Sequence, residues 1–509
     1  MKSTPFVLVL ALATGIGSAS IAKPTAPGWN LAALPQVARV DPRFQSYNVE
    51  MVEVTGGRFW APYGGPKDEV YRQRPPIDLA NPRLRAAARL LAPAYMRVSG
   101  TWANTTYVPA AGEELAAPPE GFRQVLQRPQ WHGVVAFSRA VDAPIMTSFA
   151  VSAGTRDGEG RWRSDQAQRL LDLTREAGGE LAAAEFFNEA NLPSLAALPA
   201  GYKVGDYLAD YATFHDWARR AAPAMKLFGP GTIGGAGGGQ KAAANERDPL
   251  GFESIEAMAA GTSSRIDGFS YHFYGSVSVR CESLGIGTAQ KDQALSTGWL
   301  DHTLLDQGYY AGLRDRFAPG KPLWLTETAQ AACGGSPWAA SFLDTFRYLN
   351  QMGVLAQKGV QVVMHNTLAA SDYALLDSET FAPRPSFWAA VLWRKTMGEV
   401  VLAPPSGAPD GVRVFAHCLR GKPGGVALLA LNTSDHAASL PLAARGTGWT
   451  LTAEPLDSRN VLVNGKAPQL DHSGRLRGLQ AQRIGGALGI PAKAIVFAAM
   501  PRAGNPACR

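Results

Sequence analysis

Short apolar runs alternate with longer stretches of helical periodicity from Asn48 to Gly398, and this alternation constrains the fold more than any other feature. Brief apolar runs of this kind are typical of parallel strands that helices cover on both faces. Eight such strands with helices between them describe a (β/α)8 barrel. We predict the strands at Tyr47–Val54, Tyr95–Val98, Ile145–Ala150, Ala183–Phe187, Lys226–Phe228, Gly268–Tyr271, Leu323–Leu325 and Val360–His365.

The stretches between these runs carry apolar residues at helical spacing. In Val204–Ala221, for example, Tyr207, Tyr211, Phe214 and Trp217 fall on one face of a helix. This pattern predicts an amphipathic helix whose aromatic stripe packs into the core rather than binding a cofactor.

Residues 399–509 have a different texture, with β-rich runs separated by Gly and Pro turns. The runs are Val412–Cys418, Gly425–Asn432 and Ala494–Met500. This pattern is typical of an antiparallel β-sandwich. We therefore predict a barrel domain over residues 45–398 and a β-sandwich over residues 399–509, with the segment 23–44 as a candidate for one further strand.

The N-terminus is typical of an export signal. Lys2 supplies a positive charge, residues 6–16 are an apolar core, and Ser20–Ala22 ends in small residues suited to cleavage. The apolar run is too short to span a bilayer, and an uncleaved anchor is the alternative. We predict a signal peptide over residues 1–22 and a periplasmic or extracellular protein without a membrane span.

The composition limits the classes of partner. Hydrophobic residues make up 46% of the chain and charged residues 18%, which indicates a sizeable core and argues against disorder. The net charge is +7, but the sequence has neither a Lys/Arg run nor a basic helix interleaved with aromatics, so nucleic acid is not an expected partner. A modestly basic surface favours an anionic substrate. We expect the protein to act as a monomer.

The sequence contains four cysteines, Cys281, Cys333, Cys418 and Cys508. Their spacing lacks the close pairs of a zinc site, and export permits disulfides. Four cysteines allow three pairings. We favour Cys281–Cys333 and Cys418–Cys508, because each pair then lies within one predicted domain; free buried thiols are the alternative.

Two of the predicted strands end in glutamates. The fourth runs into Asn188-Glu189, and the seventh runs into Thr326-Glu327. In barrel enzymes the catalytic groups sit at the carboxyl ends of strands and face one rim. A retaining glycosidase needs two carboxyl groups there, one to protonate the leaving oxygen and one to attack the anomeric carbon. Either glutamate alone is as well explained as a helix cap or a surface residue, but together they indicate glycoside hydrolysis.

Polar residues near these strand ends extend the hypothesis. Asn188 is placed to donate a hydrogen bond to the sugar 2-hydroxyl. His272 and Tyr274, at the end of the sixth strand, are candidates to orient the nucleophile, although a buried core histidine is the alternative for His272. Two carboxylates suffice for the reaction, so we expect neither a metal nor an organic cofactor.

The motifs in this order resemble glycoside hydrolase family 79, the heparanase and β-glucuronidase group. The resemblance covers most of the predicted barrel, and its tail is similar in having a β-sandwich with cysteines placed like Cys418 and Cys508. Ala190 stands where the family usually has proline after the acid/base. The segments that carry the resemblance are residues 92–101, 162–171, 187–191, 266–274, 325–328, 362–366, 372–373 and 376–377.

The resemblance implies a role for each matching residue. It makes Glu189 the general acid/base and Glu327 the nucleophile. It places the pocket for the sugar that is cleaved off, the glycone pocket, at Glu50, Thr101, Asn188, Tyr274, Tyr373 and the backbone of Gly334 and Gly335. Backbone N–H groups of adjacent glycines form concavities that bind anions, which suits a uronate carboxylate; an ordinary turn is the alternative.

From these observations we expect an exported retaining glycoside hydrolase of β-glucuronidase type, acting on oligo- or polysaccharides that contain uronic acid. One alternative is a retaining glycosidase of the same barrel type that acts on neutral sugars such as xylose or arabinose. The other is a glycan-binding protein that keeps the barrel without catalysis, because a fold does not imply a function.

Overall fold

Eight parallel strands close into a barrel in the computed structural model, which describes Met1 and residues 28–66, 69–235, 253–471 and 473–509. Each strand pairs with the next in chain order, and strand eight pairs with strand one. Every predicted strand overlaps one of them, so the predicted fold class is confirmed. Barrel strands one to eight are Gln45–Glu50, Met96–Ser99, Ile145–Thr147, Leu181–Glu185, Lys226–Ile233, Gly268–Tyr274, Leu323–Ala329 and Val362–His365.

Helices connect the strands and follow the last one. In the helix Val204–Ala221 the predicted aromatic stripe is buried, which confirms its role in the core. No helix in the described ranges has both the length and the apolar character needed to cross a bilayer. The helices are Met51–Thr55, Pro82–Arg89, Arg128–Ala140, Asp165–Glu176, Val204–Ala221, Ile255–Thr262, Thr297–Leu300, Thr303–Phe317, Phe342–Gln357 and Pro385–Thr396.

The first barrel strand is shorter than predicted. It ends at Glu50, and Met51–Thr55 forms a short helix instead of continuing the strand. The side chain of Glu53 accepts a hydrogen bond from the backbone N–H of Glu50 at 2.7 Å, which caps this helix. The predicted extension to Val54 was wrong because this local cap overrides the β propensity of the two valines.

The barrel interior is apolar near the amino ends of its strands. There Phe228 stacks on Trp324 with ring centroids 4.0 Å apart, and both rings are buried. They pack in one cluster with Met146, Ala183, Val362 and Met364. We call this cluster the apolar layer.

A second, antiparallel sheet is packed between the barrel and a small two-stranded sheet. The segment Val426–Asn432 is buried along its whole length, because one face packs on the barrel and the other on the strands Ala438–Pro441 and Ala487–Ile490. The strands of the sheet, in spatial order, are Gln36–Arg39, Met397–Leu402, Val412–Leu419, Val426–Asn432, Ile495–Met500, Gly446–Thr452 and Leu462–Val463, with Gln482–Ile484 also pairing with Gly446–Thr452.

The sheet takes up one strand from before the barrel. Gln36–Arg39 pairs with Met397–Leu402, as the candidate strand in the segment 23–44 required. The domain limits themselves stay a prediction, and the sheet begins at Met397 rather than at residue 399. The predicted signal peptide lies outside the described residues, apart from Met1.

Smaller elements complete the chain. The further strands are Gly57–Trp60 with Tyr71–Arg74, Thr106–Tyr107 with Gln124–Val125, and Gln469–Leu470 with Leu476–Arg477. The 3-10 turns are Leu31–Ala33, Thr101–Thr105, Ala153–Thr155, Val279–Leu284, Lys291–Gln293 and Pro506–Cys508.

Both favoured disulfides are formed. Cys281 is bonded to Cys333 and Cys418 to Cys508, with Cα atoms 6.4 Å and 5.2 Å apart. The first links the loop after strand six to the loop after strand seven. The second ties the end of the chain to the antiparallel sheet.

Candidate active site

Glu189 and Glu327 lie at the carboxyl ends of barrel strands four and seven, as predicted. Glu189 follows strand four on a left-handed backbone, with a φ of 52°. Both side chains are buried, at 8% and 6% exposure. One carboxylate oxygen of each, together with a ring nitrogen of His272, lie within 4.8 Å of one another. This separation suits the roughly 5–5.5 Å of retaining glycosidases and is shorter than the roughly 6.5–9.5 Å of inverting ones.

A β-bulge in strand seven aims Glu327 at the site. Pairing with strand six runs in register to Leu325 and resumes with His272 opposite Glu327, so Thr326 is the extra residue. Bulges of this kind redirect side chains and are common next to active sites. Thr326 points into the barrel instead, where its hydroxyl donates to Glu185 at 2.6 Å.

Arg97, on strand two, is the cation that organises the site. Its guanidinium donates to Oε2 of Glu327 at 2.7 Å, to Oε2 of Glu185 at 3.0 Å and to Oδ1 of Asn188 at 2.8 Å. Burial would lower the pKa of Arg97, but the charges of Glu185 and Glu327 outweigh it and raise that pKa. A buried charge persists only when paired in this way.

Sequence reasoning gave no role to Arg97 or Glu185. The signal was present, since each is a charged residue inside a strand predicted to be apolar. Charged side chains are almost never fully buried unless they are paired, so two of them on facing strands indicate a buried ion pair.

The environment of Glu327 keeps it ionised. Burial raises the pKa of a carboxyl group. Here the positive charges of His272 and Arg97, together with hydrogen bonds from Tyr274 and Arg97, outweigh burial and hold the pKa of Glu327 below its usual value. The hydroxyl of Tyr274 donates to Oε1 at 2.7 Å. A carboxylate so fixed is suited to attack an electrophilic carbon.

Glu189 experiences the opposite balance. Burial raises its pKa, the nearby charge of Glu327 raises it further, and only the hydrogen bond and the charges of His272 and Arg97 lower it. The net direction is upward, so Glu189 holds a proton more readily than an ordinary glutamate. Two carboxyl groups whose environments push their pKa values apart are the pattern of an acid and a nucleophile.

His272 lies between the two carboxylates. Its Nδ1 is 3.4 Å from Glu189 and 3.8 Å from Glu327, while Nε2 is 3.7 Å from Glu185. Burial and the charge of Arg97 lower the pKa of His272, but the surrounding carboxylates outweigh them and raise it to about 9. This raised pKa favours the charged form of His272, which lies between the two candidate catalytic carboxyl groups.

Glu189, His272 and Glu327 also offer ligand atoms close enough together to hold a metal ion. Arg97 donates directly to Glu327, and His272 carries a positive charge of its own. These cations already neutralise the carboxylates, and they would repel a further cation. The electrostatics of the cluster therefore favour acid–base chemistry over metal binding.

Asn366, at the end of strand eight, joins three residues of the predicted glycone pocket. Its Nδ2 lies 3.0 Å from Oε1 of Glu50, 3.0 Å from the hydroxyl of Tyr274 and 3.1 Å from the hydroxyl of Tyr373. Through Tyr274 the network reaches Glu327. Glu50, Tyr274 and Tyr373 are thus brought together beside the nucleophile, and Asn366 is a residue whose role the sequence did not reveal.

Glu50 is a third carboxyl group in this network. Burial and the charge of Glu327 raise its pKa well above the usual value, more than the hydrogen bond from Asn366 lowers it. Its Oε2 atom is buried and accepts no hydrogen bond from the residues that the structure describes. A carboxyl group whose neutral form is favoured in this way is suited to bond a sugar hydroxyl without repelling an acidic sugar.

Asn188 is held so that its amide faces the site. Its Oδ1 accepts from Arg97, which leaves the NH2 group as the free donor. Asn104 fixes the backbone from both sides, donating to the carbonyl of Asn188 at 3.0 Å and accepting from its N–H at 2.9 Å. This orientation suits the predicted donation to a sugar hydroxyl, and Asn104 is a second residue that sequence reasoning missed.

The remaining predicted pocket residues are Thr101, Gly334 and Gly335. Thr101 begins the turn after strand two and is half-buried. The two glycines have φ values of +80° and +84°, which favour glycine. The N–H of Gly335 already donates to the carbonyl of Ala331 at 3.2 Å, whereas the N–H of Gly334 has no hydrogen bond within the described residues. Of the two N–H groups predicted to bind an anion, that of Gly335 is therefore already occupied, and that of Gly334 remains as the candidate.

Several known proteins are similar to this chain in sequence or in fold. The chain is 28% identical to heparanase of Mus musculus over 496 residues, covering 84% of this chain and 88% of heparanase. It is 29% identical over 207 residues to the baicalin-β-D-glucuronidase of Scutellaria baicalensis, covering 38% of each chain. The structure of a 4-O-α-L-rhamnosyl-β-D-glucuronidase from Fusarium oxysporum matches with a TM-score of 0.65 at 13% identity, covering 92% of this chain and 99% of that one. No family model matches the chain.

A closed (β/α)8 barrel with paired, oppositely tuned carboxyl groups at the ends of strands four and seven defines a glycoside hydrolase, and the similar proteins agree with that class. The relatives narrow it further. The heparanase and β-glucuronidase relatives support the resemblance to glycoside hydrolase family 79 that was drawn from the motifs.

Proposed function

We propose that the protein is an exported β-glucuronidase-type enzyme that cleaves glycans at glucuronic acid by a retaining double displacement. The observation that carries the mechanism is the pair of buried carboxyl groups, Glu189 and Glu327, which lie within 4.8 Å of each other and whose pKa values are shifted in opposite directions.

The first step forms a covalent glycosyl-enzyme. The ionised Oε atom of Glu327 attacks the anomeric carbon while Glu189 gives its proton to the glycosidic oxygen, so that the leaving alcohol departs neutral. Positive charge develops on the sugar ring in this transition state. Asn188 donates to the 2-hydroxyl, a contact that strengthens as this charge develops. Tyr274 releases its hydrogen bond to Glu327 as the carboxylate becomes an ester.

The second step returns the enzyme to its starting state. Glu189, now ionised, takes a proton from a water molecule, and that water attacks the anomeric carbon and breaks the ester to Glu327. Two inversions at one carbon give net retention of configuration. The product is the free sugar in its β configuration.

Three features support an acidic sugar. The raised pKa of Glu50 favours the neutral form of this pocket carboxyl group, the N–H of Gly334 is free to bind an anion, and the name of the Scutellaria relative specifies a glucuronide. Export is proposed because both disulfides of the described chain need an oxidising compartment. Action as a monomer remains a prediction.

Turnover of two aryl glycosides tests the proposal. The wild type should hydrolyse 4-nitrophenyl β-glucuronide and leave 4-nitrophenyl β-xyloside nearly untouched, and NMR should detect the β anomer as the first product. Glu327→Gln should lower kcat by on the order of 10⁴-fold or more, because the nucleophile is lost. Glu180→Gln, at the opposite, exposed end of strand four, is the matched control and should stay within about twofold of the wild type.

Glu189→Gln separates the two carboxyl groups by role. A nitrophenolate needs little protonation to leave, so the second step should become limiting, and azide should restore turnover by forming the β-glucuronosyl azide. Preference for the xyloside would show that the enzyme acts on neutral sugars instead of uronides. Hydrolysis of neither substrate, with glycan binding retained, would identify a binding protein, and first release of the α anomer would refute the double displacement.

A further inference from the structure

The loop that carries Gly334 is held by Arg280 and by Ser278, whose hydroxyl donates to the carbonyl of Cys333 at 3.0 Å. Arg280, in the loop after strand six, places Nη1 3.3 Å from the carbonyl of Cys333 and 3.4 Å from that of Gly335. Its side chain is buried, at 6% exposure. Hydrogen bonds from a guanidinium are charge-assisted and stronger than neutral ones, so both carbonyls are fixed in direction.

Arg280 also joins this loop to two others. Its Nη2 donates to Oδ2 of Asp372 at 3.0 Å and to the carbonyl of Ala61, and its guanidinium stacks on the ring of Tyr63 at 3.7 Å. These contacts belong to the loops after strands eight and one. One side chain thus connects four loops around the predicted glycone pocket.

The peptide bond between Cys333 and Gly334 relates the direction of the Gly334 N–H to the contact of Arg280 with the Cys333 carbonyl. The bond between Cys333 and Gly334 is trans, so its C=O and its N–H point to opposite sides. Because Arg280 binds the carbonyl, the N–H of Gly334 points away from Arg280. That N–H is the free donor of the glycine pair, since the N–H of Gly335 is already bonded to Ala331.

The disulfide reinforces this arrangement. Cys281 follows Arg280 in the chain and is bonded to Cys333, the residue whose carbonyl Arg280 binds. The arginine and the glycine loop are therefore joined both covalently and by hydrogen bonds. A built side chain at Gly334 would meet Nη1 of Arg280 and Cγ of Trp60, each at 2.7 Å, which keeps the position free of a side chain.

We propose that Arg280 is a positioning residue for substrate charge: it orients the N–H of Gly334 toward the carboxylate of an acidic glycone and so sets the preference for uronides over neutral sugars. This inference rests on the proposed function. Arg280 does not touch the reacting atoms, so it acts on the binding of the acidic group and not on the bond that breaks.

The test compares three variants in the full-length protein. Arg280→Gln removes the charge and the fork of donors, and Arg280→Lys keeps the charge but not the fork. Arg459→Gln is the matched control, because Arg459 approaches the other oxygen of Asp372, at 3.7 Å, and has no contact with the glycine pair in the described residues. Steady-state kinetics are measured with 4-nitrophenyl β-glucuronide and with the β-glucoside, which carries CH2OH in place of the carboxylate.

We expect Arg280→Gln to raise KM for the glucuronide about tenfold to hundredfold, with a much smaller change in kcat and in the kinetics of the glucoside. Arg280→Lys should recover only a small part of this loss, since lysine keeps the charge but lacks the planar fork with which Arg280 bonds both carbonyls and Asp372 at once. Arg459→Gln should keep the preference of the wild type. Full recovery by lysine, or an equal loss in Arg459→Gln, would show that charge alone matters and would overturn the proposal.

Hydrogen exchange of residues 333–336 gives a readout that does not depend on activity. Exchange should be faster in Arg280→Gln than in the wild type and in Arg459→Gln, and unchanged exchange would refute the positioning role. If the wild type hydrolyses neither glycoside, the proposed function fails, while the exchange measurement still decides whether Arg280 orders this loop.

Discussion

The two ends of the barrel interior differ in kind although the same strands build both. On strand four, Ala183 belongs to the apolar layer and Glu185 to the charged cluster around Arg97. On strand seven, Trp324 packs against Phe228 below, and Thr326 bonds Glu185 above. Successive inward positions of a strand lie two residues apart, so the change from apolar to charged occurs within one step of each strand.

This difference separates stability from chemistry. The apolar layer gains free energy by removing hydrocarbon from water. The charged layer is costly to bury, and it is tolerated because each charge is paired and hydrogen-bonded. Because these charges surround the carboxyl groups unequally, the pKa values of the carboxyl groups differ.

Arg97→Gln should have the largest effect, because it removes the cation of the charged layer. Glu185 and Glu327 would be left buried without their partner, which should lower the free energy of unfolding by about 3–5 kcal/mol. Loss of a donor to Glu327 should reduce kcat/KM by on the order of 10²–10³-fold. Urea unfolding and kinetics on the same preparation measure both, and wild-type stability would show that the ion pairs contribute little.

Phe228→Ala perturbs the apolar layer instead of the charged one. The lost ring and the remaining cavity should reduce the free energy of unfolding by about 3–5 kcal/mol. Since the apolar layer contains none of the candidate catalytic or pocket residues, kcat/KM per folded molecule should stay within about twofold of the wild type. A large drop in activity of the folded enzyme would show that the two layers are coupled.

His272→Gln should have the smallest effect of the three substitutions, and it tests the contribution of a single charge in the charged layer. The charge of His272 lowers the pKa of both Glu327 and Glu189, so removing it should raise both. The acidic limb of the pH–rate profile requires Glu327 ionised and the basic limb requires Glu189 protonated, so both limbs should move to higher pH. Activity at the optimum should fall roughly tenfold, about the effect of one charged hydrogen bond. A profile that stays in place would mean that His272 is not charged in the wild type.

The positions of the candidate catalytic glutamates were predictable, and the charges that shift their pKa values were not. A strand that ends in Asn-Glu or Thr-Glu reveals itself locally, because barrel topology places all such ends on one rim. Arg97 stands inside a strand, and its partners Glu185 and Glu327 follow it by many residues in the chain. Their meeting depends on how strands two, four and seven close around the interior.

The contacts of the pair Gly334 and Gly335 were likewise not predictable from the sequence. The sequence indicated that Gly334 and Gly335 allow a backbone that binds anions. It did not reveal that Ala331 takes the N–H of Gly335 or that Arg280 fixes the carbonyl of Cys333.

By itself, the sequence determined the (β/α)8 barrel, the added antiparallel sheet, the placement of the two candidate glutamates at strand ends and the resemblance to a family. These follow from periodicity and from residues adjacent in the chain, which act over short distances. Only the tertiary structure revealed the charges that shift the pKa values of the two glutamates apart, the Gly334 N–H that has no hydrogen bond within the described residues, and the contact of Arg280 with the carbonyl before it. Proton affinity and hydrogen-bond direction depend on burial and on charges brought within a few ångströms by distant segments, and one-dimensional spacing does not encode those distances.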